Sequence, residues 1–249
     1  KLVFRALEHL PVEEPVRAEV DVDRGPGPLA DRDHLVEEPL HLRAGQRVQR
    51  PHIEPAQHFH RVDIRLDCLG REPAHADRNA FLSAQGPVSN TAFQHMVFLI
   101  VADLLSVGVK PGDKILLRMT NSVEFAAALL AVIWVGAVPV LQNSQFGHGE
   151  LEHIVVLSNP KLFLLSEALR DDPALSSLRP DAPRFVVTRA GLLDPNGIKL
   201  GTTAAAPPAA FDAERDTPAL IVFTSGTTGR PKGIVHAHRW LEALGDSNR

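Results

Sequence analysis

One short stretch of the chain concentrates groups that hold anions. Residues 224–233 read "TSGTTGRPKG": Thr224, Ser225, Thr227 and Thr228 bring hydroxyls, Gly226, Gly229 and Gly233 bring glycine, and Lys232 brings an ammonium. Glycines permit positive φ and leave backbone N–H groups free to converge on a negative ligand. Each hydroxyl can donate to a phosphate oxygen, and the lysine is a compact charge on a flexible stem. Pro231 restricts Arg230 to extended conformations, so the chain is expected to leave the loop as a strand, "GIVHAH". That sets it apart from the G-x-x-x-x-G-K-[ST] nucleotide loop, which needs Gly–Lys at 231–232 and a helix immediately afterwards. The bland alternative is a Gly/Thr hairpin turn between residues 219–223 and 233–237. So many glycines and hydroxyls in consecutive positions, with Pro and Lys, weigh against a turn and nothing more.

Such a loop needs rigid elements on either side, and the preceding text supplies them. "PALIVF" (218–223) reads as a buried strand that delivers the chain into the loop. Upstream, "FQHMVFLIVADLLSVGVKPGDK" predicts an apolar helix ended by Gly108 and a turn at Pro111–Gly112. "KILLRM" (114–119) predicts a strand. Asn121 or Ser122 is placed to cap a helix whose face carries Phe125, Leu129, Val132 and Ile133, and Gly136 ends it. "VPVLQN" (138–143), "KLFLLS" (161–166) and "RFVVTR" (184–189) read as further strands, with a helix at "GELEHIVVLSN". Strands apolar on both faces, alternating with helices, indicate a parallel sheet covered by helices. Residues 194–216 read as a Pro/Ala/Asp-rich surface connection.

Composition changes near Gly86. Residues 1–86 contain no threonine, one serine (Ser83) and no lysine beyond Lys1, while arginine, histidine, proline and acids are frequent. Prolines interrupt every candidate helix, and neither a 2.0 nor a 3.6 period is sustained, although "HLVEEPLHLRAGQRVQRPHIEP" could supply short strands. The segment is nearly neutral and lacks the charge of a disordered tail. Two readings stand: GC-rich DNA read out of frame, or a variable, loosely packed extension. Over the whole chain the net charge is −4, which gives no general attraction to nucleic acid or acidic membranes. Cys68 is the single cysteine, so an intrachain disulfide is impossible and a reducing, cytoplasmic setting is expected. The longest apolar run, residues 125–141, is broken by Gly136 and Pro139 and reads as a buried helix and strand rather than a membrane span.

The ten-residue loop resembles the phosphate-loop signature of the AMP-forming adenylating enzymes: acyl- and aryl-CoA synthetases, luciferases and the adenylation domains of peptide synthetases. "LLSVGVKPGDKILLRMTNSVEFAAALLAVIWVGAVPVLQN" resembles the family's early helix–strand–helix–strand block, so the resemblance covers about residues 90–249. "RMTNSVEF" and "VHAHRW" are most similar to the aryl- and acyl-CoA ligases. The resemblance implies a partial large N-terminal domain, residues 87–249, with a mostly parallel sheet flanked by helices and ending just after the loop. It implies that Thr224, Ser225, Gly226, Thr227, Thr228 and Gly229 surround the β- and γ-phosphates of ATP, with Lys232 assisting. The implied reaction joins a carboxylic acid to ATP, giving an acyl-adenylate and pyrophosphate, and then passes the acyl group to coenzyme A. Mg²⁺ is implied as well. The Mg²⁺ and coenzyme A sites, the acyl pocket, the ribose site and the catalytic lysine belong to later motifs, which include a Tyr-x-x-Thr-Glu stretch, and this chain has no tyrosine. On that resemblance the chain is expected to be a fragment, inactive alone, whose sheet exposes apolar edges.

Other residues invite assignments. His236 and His238 stand two apart as a potential metal pair, and His52, His58 and His60 form a weaker set; neither has an evident third ligand. Glu124 is expected on the exposed face of its helix, Asp113 and Lys114 in a turn, and Trp134 in the core. Two alternatives to a CoA ligase remain open: an adenylation domain serving a carrier protein, and a non-catalytic module that binds nucleotide or partner proteins.

Overall fold

The computed structural model describes residues 78–83, 85–175, 177–201, 209–224 and 230–246, without the side chains of Glu242, Leu244, Gly245 and Asp246. The leader up to residue 77, including Cys68, His52, His58 and His60, lies outside the described residues.

The first described elements are a two-stranded antiparallel ribbon, β1 (Asn79–Ser83) and β2 (Gly86–Ser89). Ser89 then caps α1 (Asn90–Ser106) by accepting a hydrogen bond from the Ala92 amide at 3.2 Å. β3 (Lys114–Arg118), α2 (Val123–Trp134), β4 (Val138–Leu141), α3 (His148–Ser158) and β5 (Leu162–Leu165) follow. Two short 3₁₀ turns, Glu167–Leu169 and Pro173–Leu175, lead to β6 (Arg184–Thr188) and β7 (Gly191–Leu193). β8 (Pro218–Thr224), β9 (Lys232–Ala237) and α4 (His238–Asp246) complete the order.

Among the described residues, seven strands form one sheet in the order β7-β6-β5-β3-β4-β8-β9. The five central strands are parallel, and the two edge strands, β7 and β9, each return antiparallel to their neighbour. The parallel core is the expected one; the antiparallel edges and the β1–β2 ribbon are additions to it. Alternate side chains divide between two apolar layers, as the period of two requires. Ile115, Leu117, Leu162, Leu164, Phe185, Val187 and Leu220 face α1 and α2. Leu116, Val138, Val140, Phe163, Leu165, Val186 and Ile221 face α3 and the 3₁₀ turns.

This division follows from the crossovers. The chain leaves β3 through α2 toward β4, then passes back beyond β3 through α3 to reach β5. Right-handed connections running in opposite directions must cover opposite faces. The strand order therefore reverses between β3 and β5, where open parallel sheets usually leave a crevice at the carboxyl ends.

Ser122, rather than Asn121, caps α2, its Oγ accepting from the Phe125 amide at 3.1 Å. α2 does not bury a single face: ten of its twelve residues are buried, because α1 packs against it as well as the sheet. Gly108 and Gly136 end α1 and α2 at φ of 77° and 75°. The connection expected to be a surface loop is partly structured. Leu193 bridges to Lys199, the Phe211 amide donates to the Trp134 carbonyl at 2.9 Å, and Ala213 is buried. No described helix is long and apolar enough to cross a membrane.

Candidate functional site

The parallel strands β3, β4, β5, β6 and β8 all present their carboxyl ends at the same edge of the sheet. β8 is held to β4 by the pairs Val140↔Ile221 and Leu141↔Val222, and it runs on to Thr224 at that edge. Across the hairpin, Thr224 is the register partner of Lys232, and both side chains are exposed. Two of the loop's described members, Thr224 and Lys232, thus stand opposite each other at its base, a hydroxyl-bearing residue paired with an ammonium-bearing one. Ser225, Gly226, Thr227, Thr228 and Gly229 lie outside the described residues. β9 begins at Lys232, directly after Pro231, as the proline-restricted exit requires. The hairpin and the anion-binding readings of this stretch are therefore compatible: the strands pair on either side of the candidate loop.

Gly233 has a different part from the one expected. Its backbone is not in the positive-φ region; instead, a Cβ there would meet the Phe223 ring at 2.9 Å. Phe223 and Gly233 are register partners, so the glycine gives the aromatic ring room to lie across β9.

At the carboxyl end of β3, beside the β3/β5 reversal, lies a buried ion pair. Arg118, the last residue of β3, is 3% exposed and donates from Nε to Asp172 Oδ2 at 2.8 Å. Its Nη1 donates to Gln142 Oε1 and the Asn143 carbonyl, both at 3.0 Å, and its Nη2 donates to the Phe146 carbonyl at 2.9 Å. Gln142 completes the link by donating from Nε2 to the Leu117 carbonyl at 3.2 Å. One guanidinium thus joins the end of β3, the exit from β4 and the segment after β5. A buried charge needs this degree of satisfaction, because desolvation would otherwise outweigh the ion pair. The sequence reading passed over Arg118 as part of an apolar strand. The available signal was an arginine closing a run otherwise apolar on both faces, which can be buried only with partners. Ser166, just past β5, donates its amide to the Arg118 carbonyl at 3.3 Å, and its hydroxyl is buried without a partner.

The remaining candidates divide. His236 lies on β9 with its ring 4.7 Å from that of Trp240, whereas His238 is the first residue of α4 and is not on a strand. Burial lowers the pKa of both. Among the described residues, no three His, Cys, Asp or Glu side chains gather to hold a metal ion. Glu124 is not a free exposed acid: it pairs with Arg189 at 3.1 Å. Burial pushes its pKa up, but hydrogen bonds from its own amide, Arg189 and Ser122 outweigh that and hold it below the usual range. Asp113 accepts from the Lys110 amide at 2.7 Å within the turn and pairs with Lys161 at 2.6 Å, while Lys114 begins β3. Trp134 is buried, edge-on to Phe98 at 5.2 Å.

Comparison with known proteins places this architecture. The family model described as AMP-binding enzyme matches residues 73–247, starting upstream of residue 90, where the resemblance of the motifs begins. The probable non-canonical nonribosomal peptide synthetase CymA of Salinispora arenicola is 34% identical over 154 residues, covering 60% of this chain and 2% of that protein. The long-chain-fatty-acid–CoA ligase FadD13 of Mycobacterium tuberculosis is 33% identical over 148 residues, covering 59% of this chain and 29% of that protein. The chain therefore spans less than a third of the length of either relative. The crystal structure of apo MatB from Rhodopseudomonas palustris superposes with a TM-score of 0.57 at 25% identity, over 70% of this chain and 34% of that one. The sheet order, the loop sequence at the end of β8 and the matched span agree: this chain belongs to the AMP-binding enzyme family.

Proposed function

We propose that the β8–β9 hairpin binds the phosphates of ATP in the activation of a carboxylic acid, the acyl group then passing to the thiol of coenzyme A. The observation that carries this reading is the pairing of Thr224 with Lys232 at the base of the "TSGTTGRPKG" loop, on the carboxyl edge of a parallel sheet. In the first half-reaction a carboxylate oxygen attacks the α-phosphorus, and the bond to the bridging oxygen of pyrophosphate breaks. In the second, the thiol displaces AMP from the acyl carbon. Negative charge builds on the departing pyrophosphate, so donors fixed in advance around the β- and γ-phosphates favour the transition state. Lys232 supplies charge there, Thr224 supplies a hydroxyl, and Ser225, Gly226, Thr227, Thr228 and Gly229 supply hydroxyls and backbone N–H groups. The described residues do not form a carboxylate cluster suited to Mg²⁺.

A carrier-protein thiol as acceptor is the second reading, favoured by the match to a peptide synthetase at an identity similar to that of the CoA ligase. The domain division proposed with either reading is a leader up to residue 86 and an adenylate-forming segment from 87 onward.

The test is ATP–pyrophosphate exchange by the gene's full product with a panel of carboxylic acids. Lys232→Ala is expected to slow exchange more than it weakens binding of the acid. Unchanged exchange rates would remove Lys232 from the assignment, and acid-independent exchange would remove the carboxylate.

A further inference from the structure

Resting on that reading, we infer that Arg118 is a positioning residue for nucleotide binding. Its guanidinium fixes the segment leaving β4, the strand that pairs with β8. Three observations converge. First, the Arg118–Asp172 pair is almost wholly enclosed, with side chains 4% and 8% exposed, so the fork has little freedom. Second, three of its four acceptors belong to the segment leaving β4: Gln142 Oε1, the Asn143 carbonyl and the Phe146 carbonyl. Third, β4 is the strand that holds β8, with Leu141 in register with Val222 two residues before Thr224. The route from Arg118 to the candidate site is therefore one side chain, Gln142, and one pair of adjacent strands. A carboxylate and a fork-shaped cation holding backbone carbonyls form a rigid device; lysine cannot reproduce the geometry.

At the opposite, amino edge of the same sheet, Lys161 pairs with Asp113 at 2.6 Å and also donates to the Gly108 carbonyl. This ion pair ties strands together as well, but it is remote from the carboxyl edge. It separates a positioning effect from general loosening of the sheet.

The experiment is calorimetric titration of ATP into the chain and into four variants, Arg118→Met, Arg118→Lys, Gln142→Met and Lys161→Met. Thermal melting of each sets a temperature at which it is folded. Both Arg118 variants and Gln142→Met are expected to weaken ATP binding about tenfold, equivalent to about 1.4 kcal/mol. The double variant with Arg118→Lys and Gln142→Met should lose no more than either alone, because both break one linkage. Lys161→Met should leave the affinity unchanged. If Arg118→Met does not fold, Gln142→Met and Arg118→Lys carry the comparison. Unaltered affinity in folded Arg118→Lys and Gln142→Met overturns the inference while leaving the nucleotide site standing. Equal weakening by Lys161→Met overturns it as well. Failure of the unsubstituted chain to bind ATP overturns both this inference and the reading on which it rests.

Discussion

Gly233 lies against the Phe223 ring, where a Cβ would approach Cζ to 2.9 Å. Its place at the end of the loop motif therefore has a packing reason, the room it leaves for the Phe223 ring. Gly233→Ala is expected to cost about 1–3 kcal/mol through overpacking, measured by urea unfolding, and Phe223→Leu should recover part of that. Gly191 is constrained differently: its φ is 110°, and a Cβ would stand 2.4 Å from the buried Asp103 carboxylate, which accepts from the Leu192 amide at 2.7 Å. His238 supplies a pH dependence. Burial lowers its pKa, and that of His236, from 6.5, so the unfolded chain takes up protons before the folded one does. Stability from these groups is full above 6.5 and is lost progressively as the pH falls below it and through their lowered folded-state pKa values. The urea midpoint should accordingly drop between pH 7.5 and 5.5, and less so in His238→Leu; an identical drop in that variant would free His238 of the effect.

At the scale of elements, α2 shows how far local signals reach. Its cap, its end at Gly136 and its apolar content were legible from single residues, yet its burial on nearly all sides depends on α1 lying over it. Ser122→Ala removes the hydroxyl that accepts from the Phe125 amide and should cost about 1 kcal/mol, read from urea unfolding. The central strands were legible because runs such as "LFLL" are apolar on both faces. β7 was not, since it has three residues and depends on Asp103, far away in sequence, to satisfy the Leu192 amide. The β1–β2 ribbon was hidden for a similar reason: its support comes from Phe81 against Phe93, with ring centroids 4.8 Å apart. Residues 194–216 read as loop from their composition, while the packing of Phe211 against Gly136 is a tertiary event. β9 leaves Ile234 and Val235 more than a third exposed on an edge strand of the described sheet.

For the whole molecule, the candidate loop is legible as a contiguous motif, whereas the contacts that support its strands are not. Thr224 and Lys232 declare themselves in sequence, but Arg118, Gln142, Asn143 and Asp172 come together only because β3, β4 and β5 end side by side. The strand order places the candidate loop at the end of β8, away from the β3/β5 reversal, beside which the Arg118–Asp172 pair lies. The central claim, that the β8–β9 hairpin is a phosphate site, is tested most directly by calorimetric titration of ATP into the chain and its Lys232→Ala variant. The account predicts saturable binding by the former and at least about tenfold weaker binding by the latter, with unchanged thermal stability. Equal affinity in the two, or no binding by either, would contradict it.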